Sequence, residues 1–179
     1  VSDKITYALS GRISPLGPEY AALKGLMDGH LGSLNHFAAG IGDLYGKIHW
    51  KAGNGKWLSA STLASLDHYG FNMPDGSDEK MGWRNLIGSA HYHSAGEKGE
   101  SDLSVSYNSY VSTQELSNEY HGTENHFSLR SMLDEITLSE DFERNTEGTT
   151  GWKTGGSFRY AAFRPGEVAG AVNRKRVLM

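Results

Sequence analysis

The last quarter of the chain alternates bulky and small residues on both sides of a Pro-Gly pair, and that pattern narrows the folds open to it. In Gly155-Gly156-Ser157-Phe158-Arg159-Tyr160-Ala161-Ala162-Phe163-Arg164 the large side chains are bracketed by small ones, as in a short strand. Pro165-Gly166 then supplies a fixed φ followed by a permissive one, and Val168-Ala169-Gly170-Ala171-Val172 resumes a tightly packed run. The spacing predicts two short strands about a turn, the form of a hairpin that closes a barrel.

The same period recurs upstream. Ile5-Thr6-Tyr7-Ala8-Leu9-Ser10 alternates and stops at Gly11, and Leu44 to Lys51 alternates, turns at Gly53-Asn54-Gly55 and returns as Lys56-Trp57-Leu58-Ser59. In this hairpin Ile48 and Trp50 are expected on a buried face, with Lys47, His49 and Lys51 on the wet one. Pro18 opens an expected short helix over Glu19–Met27 that places Tyr20, Leu23 and Met27 on one stripe. The polar stretch Pro74–Lys80 is the expected boundary between two units. With 23 Gly, 4 Pro and 11% aromatic residues, the composition suits short strands and turns better than long helices.

Four further segments, Gly88–His93, Asp102–Tyr107, Asn125–Arg130 and Ile136–Leu138, read as successive strands. Together with the pattern Gly156-Ser157-(x)5-Phe163, a turn, then Glu167-Val168-Ala169-Gly170, they resemble the small β-barrels of transferrin-binding protein B, factor H-binding protein and the secreted haem carriers called hemophilins. The resemblance covers roughly residues 86–172. It implies a mainly β protein with a C-terminal eight-stranded antiparallel β-barrel, residues 81–179, and a small N-terminal α+β ligand-binding unit, residues 1–80. Gly170 is then expected where only a small residue fits between packed strands.

By the same resemblance, the function is that of a carrier and not an enzyme. The chain is expected to capture b-type haem as cargo outside a Gram-negative cell, secreted or at the surface, and to deliver it to an outer-membrane receptor of the TonB-dependent type. A host haem or iron protein is a further expected partner. Surface binding of a host protein, as in the transferrin- and factor H-binding relatives, is an alternative, with Tyr107, Tyr110 and Tyr120 as candidate contacts.

Composition excludes several other classes. The formal charge of −4, from 17 basic and 21 acidic residues, offers no basic excess for nucleic acid. No apolar run approaches the roughly 18 residues of a spanning helix, so the chain is expected not to span a membrane. The absence of Cys removes disulfides and thiolate zinc sites. Nucleotide-binding glycine motifs and the nucleophile-elbow pattern are also missing.

The haem candidates lie in the glycine-broken apolar run Gly25–Gly42. A porphyrin needs apolar walls and an axial imidazole, which makes His36 the first candidate ligand to the iron and His30 the second, with Phe37, Leu34 and Met27 as walls. Tyr69 and His68, placed by their neighbours in a turn, add a phenolate or a pocket wall. The competing reading of these histidines is ordinary packing in a loop or core. A different class is suggested by His91-Tyr92-His93-Ser94-Ala95-Gly96-Glu97, which resembles the first metal motif of the cupins, metal-dependent enzymes. Its alternative is a pair of exposed histidines on an outer barrel face. Asp134 and Glu135 read as solvated turn carboxylates.

Overall fold

The computed structural model describes residues 4–14, 16–26, 37–73, 76–97, 99–120, 123–144 and 151–174. Its strands are β1 (Ile5–Ser14), β2 (Phe37–Gly53), β3 (Lys56–Asn72), β4 (Asp78–Gly96), β5 (Gly99–Tyr120), β6 (Thr123–Arg144) and β7 (Trp152–Arg174), and one helix, α1 (Leu16–Leu26), lies between the first two. They form a single antiparallel sheet in sequence order, each strand bonded to the next. The protein is therefore mainly β, as its alternation suggests.

The architecture differs from the expected one in three ways. The sheet has seven strands and does not close: among the described residues β1 pairs only with β2, and β7 only with β6. Among the described residues no eight-stranded barrel and no separate α+β unit is formed; α1 leans on β2 through Tyr20 and Phe37, whose rings are 4.9 Å apart. β3 and β4 pair from Lys56↔Ser94 to Asn72↔Asp78, so the sheet runs without a break past residue 80. Finally, the short strands read from the sequence are pieces of long ones. Asn125–Arg130 and Ile136–Leu138 both belong to β6, and Gly155–Val172 lies within β7.

Pro165-Gly166 explains that last difference. Arg164 pairs with Met132 and Glu167 with Arg130, so two residues of β7 oppose Ser131 alone. The pair makes a β-bulge instead of a turn. Gly166 takes the left-handed φ of +44° and its N–H donates to Ser131 Oγ at 3.2 Å, which lets the strand continue. Gly170 is not the tight position: a Cβ there would meet nothing closer than His126 O at 3.7 Å. By contrast, the turn at Asn54-Gly55 forms as expected, with Gly55 at φ +67°.

Among the described residues only α1 packs on the sheet, and no second layer covers it. Only Ala39 and Val111 are buried apolar residues among those described. The accessible surface is 13257 Å². A compact monomer of this mass should expose about 8,600 Å². Domains bury their apolar surface between at least two layers. Among the described residues, the large apolar side chains of this sheet stay exposed.

Candidate functional site

Cross-strand register fixes which side chains share a face. One row crosses the sheet as Tyr7, Ile48, Ala60, Ala90, Val105, Leu138 and Phe158. The next residue along each strand gives the opposite face: Thr6, His49, Ser59, His91, Ser104, Ser139 and Ser157. Extending both sets separates the exposed apolar residues from the rest. Of the large apolar residues exposed to solvent, all but Phe127, Phe163 and Val168 lie on the first face.

Their exposure identifies the outer side. On β3, Leu58 and Leu66 of the apolar face are exposed, whereas Ser59, Ser61, Ser65 and Asp67 of the polar face are half-buried; β5 repeats the pattern. A sheet curled about its polar side gives this result. The outer face is thus apolar within this band, while the inner face is polar towards the β4–β5 hairpin and mixed beyond it, where Tyr45, Leu63, Ile87, Tyr110 and Leu133 point inward and are half-buried. The Leu44–Lys51 segment shows the reversal most directly: Ile48 and Trp50, expected to be buried, are exposed, and His49 is half-buried with its ring 5.2 Å from that of Trp57.

The outer apolar band has defined limits. On β3 it runs from Leu58 to Leu66, within the roughly 9–11 residues with which a tilted strand crosses a bilayer. The first polar residues beyond it are His68 on β3, Arg84 on β4, Ser109 on β5 and Asp134 on β6. Because Leu66 pairs with Arg84 and Leu86 with Ser109, this border steps back by two residues per strand across β3–β5. Strands inclined to a planar slab produce such a staircase. Val111 lies beyond the border but is buried. Asp134, which reads as a solvated turn residue, sits in β6 and accepts hydrogen bonds from Ser109, Tyr107 and Arg164 at 2.7, 3.1 and 2.9 Å.

Towards the β4–β5 hairpin the inner face carries rows of small polar groups. Ser61 and Ser89 are bonded across β3 and β4 at 2.8 Å, and Ser104 and Ser139 across β5 and β6 at 2.7 Å. Buried oxygens of Asp67, Asn85 and Asn108 on this face have no hydrogen-bond partner among the described residues. Such groups cost stability unless water reaches them.

Towards the β4–β5 hairpin the inner face holds a compact cluster. His91 Nε2 and His93 Nδ1 lie 2.9 and 3.0 Å from the same oxygen, Asp102 Oδ1, and His93 Nδ1 is 3.6 Å from Glu100 Oε1. Trp57 stacks on the His93 ring at 5.1 Å and meets His91 edge-on at 4.7 Å. Partial burial works to raise the Asp102 carboxyl, but the hydrogen bonds and charge of His93 and His91 outweigh it and hold the group below its ordinary value. The two histidines are therefore not on an outer face. Glu97 of the sequence motif sits exposed in the turn, and Glu100 and Asp102 take the place by the histidines that the motif assigns to it.

The expected haem residues are only partly described. His30, His36, Leu34 and Met27 lie outside the described residues. Phe37 and Tyr69 share the inner face, where Tyr69 packs edge-on against Trp83 at 5.4 Å; His68, next along β3, is on the outer face. The fold brings Phe37 and Tyr69 to one side and leaves His68 on the other. Trp57, Glu100 and Asp102 escaped the sequence reading, although pairing Gly96 with Gly99 sets His93 opposite Asp102 by counting alone.

No protein-family model matches the chain, and no curated protein matches it. Resemblance to the hemophilin-like barrels rests on the residues that carry it, of which the closing hairpin is one continuous strand here.

Proposed function

We propose that this chain forms part of the wall of a transmembrane β-barrel, with its apolar face against lipid acyl chains and its polar face towards a water-filled interior. The observation that carries the reading is a band of exposed Leu, Ile, Val and aromatic side chains on one face, opposite Ser, Thr and His rows on the other towards the β4–β5 hairpin. Outer-membrane-type barrels have this alternation, because lipid surrounds them and water fills them. No described helix is long and apolar enough to cross a membrane, a criterion that does not concern strands. The expectation of a chain that spans no membrane rests on helix-length runs alone, and this reading departs from it.

Aromatic residues near the margins of the band, Trp50 and Tyr92 at one end and Tyr107 and Tyr160 towards the other, suit the interfacial girdles of such walls. In hydrocarbon the free edges of β1 and β7 must also be paired, since no water is there to satisfy them. β1 and β7 run in the same direction in this antiparallel meander, so closing one on the other would make a parallel pair. Antiparallel closure calls for an odd number of additional strands.

The test uses the natural tryptophans. Trp50 and Trp152 project outward, Trp57 and Trp83 inward. In phosphatidylcholine vesicles with brominated acyl chains, fluorescence should be strongly quenched in the chain as it stands and after Trp57→Phe and Trp83→Phe together. Quenching should disappear when Trp50→Phe and Trp152→Phe are combined. Equal quenching of both pairs, or failure to associate with vesicles, overturns the reading.

A further inference from the structure

We propose that His93, Asp102 and Glu100, with His91 orienting Asp102, form a binding site for a divalent transition-metal ion of the zinc or cobalt type on the inner face. The inference is independent of what covers the outer face. It needs only the β4–β5 hairpin and the start of β3.

The local backbone explains why these groups meet. His91 and His93 are two apart on β4, so both imidazoles leave the same face. Pairing of His93 with Asp102 and of Ala95 with Glu100 puts two carboxylates on the adjoining strand, facing them. Gly99 makes the hairpin possible at φ +146°, where a Cβ would lie 2.4 Å from Glu143 O. Trp57 fixes the two rings in plane and edge-on orientations, removing rotamer freedom that a ligand would otherwise have to quench.

The separations match coordination. Tetrahedral bonds of about 2.0–2.1 Å set ligand atoms about 3.3–3.4 Å apart. Here the nearest pairs are 3.0 Å for His93 Nδ1 to Asp102 and 3.6 Å for His93 Nδ1 to Glu100. His93 Nδ1, Glu100 and Asp102 offer ligand atoms that all lie within 4.8 Å of one another. One imidazole nitrogen and two carboxylate oxygens, with water completing the sphere, are a donor set for borderline divalent ions, and His91 stands outside the set and holds Asp102 by a hydrogen bond; Ca²⁺ and Mg²⁺ prefer oxygen alone. Hydrogen bonding does not account for the whole cluster, because neutral His93 Nδ1 carries at most one proton yet faces two carboxylates.

The test is a titration of the folded full-length chain with Co²⁺, followed by its visible d–d absorption, then by competition with Zn²⁺. One saturating equivalent with tetrahedral-type bands, displaced by Zn²⁺, is expected. His93→Gln should weaken binding by about 100-fold, and Asp102→Asn, which keeps the side chain's shape and its hydrogen-bonding capacity, by about 10-fold or more. Glu97→Gln should change nothing, separating this cluster from the motif read along the sequence. Far-ultraviolet circular dichroism confirms that each variant keeps its strands. Absence of saturable binding, or binding that His93→Gln and Asp102→Asn leave intact in a folded protein, overturns the proposal.

Discussion

Between Leu103 and Asn108, β5 points Leu103, Val105 and Tyr107 outward and Ser104, Ser106 and Asn108 inward, and the two sets share one backbone and one register. Local conformation cannot explain the contrast; only what lies on each side can. The inner residues carry the sharper lesson. Serine has modest strand preference and almost no bulk, so the inner rows built on Ser59, Ser61, Ser89, Ser104, Ser106, Ser139 and Ser157 cannot fill a core at the density protein interiors reach. An apolar exterior around these small polar rows is stable when lipid is outside and water reaches them inside; beyond them Tyr45, Leu63, Ile87, Tyr110 and Leu133 supply bulk on the same inner face.

The largest effect that would break this comparison comes from moving one charge between faces. Val105→Lys puts an ammonium in the outer band, where a bilayer-facing Lys near the midplane costs about 2–4 kcal/mol. Ser106→Lys, one residue along, turns the same charge inward and should stay within about 0.5 kcal/mol. Urea unfolding of the lipid-reconstituted protein measures both. Equal costs would mean that the faces do not differ in environment, and a larger cost at Ser106 would invert the assignment.

The alternation behind that experiment was plain in the sequence; its direction was not. Ile48, Trp50, Leu103, Val105 and Phe158 mark strands by period alone, and the helix at Leu16–Leu26 and the Asn54-Gly55 turn were likewise legible. Assigning Ile48 and Trp50 to the buried side followed from assuming water as the solvent, an assumption the period does not contain. Strand number was lost for a different reason. Pro165-Gly166 carries the dipeptide of a turn, and a two-against-one bulge uses the same φ values within a strand. The residues between Arg130 and Ile136 include Asp134 and Glu135, whose charge reads as a loop until Ser109, Tyr107 and Arg164 are seen to surround Asp134. The His91–Asp102 cluster was half visible, because the histidines are adjacent in sequence and the carboxylates reach them only through strand pairing.

A smaller effect sharpens the contrast between the tight β4–β5 hairpin and the open end of β7. Gly99→Ala forces a Cβ against Glu143 O, with the backbone at a φ that L-residues avoid, and should cost about 1–3 kcal/mol. Gly170→Ala meets only ordinary contacts and should be neutral or slightly stabilising, by a few tenths of a kcal/mol. Thermal unfolding of the two variants under one condition decides it. A tolerant Gly99 would mean that the hairpin holding Glu100 and Asp102 adjusts freely, which weakens the case for a preorganised cluster above it.

The smallest effect probes whether the inner face is wet. Ser61 and Ser89 share a hydrogen bond of 2.8 Å across β3 and β4, and neither hydroxyl is sealed from solvent. With water present, Ser61→Ala removes one modest bond and the Ser89 hydroxyl turns to solvent, so the loss should fall near the low end of about 0.5–1.5 kcal/mol. In a dry interior the abandoned Ser89 hydroxyl would bear a desolvation penalty of about 1–3 kcal/mol, which Ser89→Ala in the same molecule would relieve. A double-mutant cycle separates the cases: near-additive small losses are expected, whereas a large single loss rescued by the second substitution would show that the polar face is packed shut.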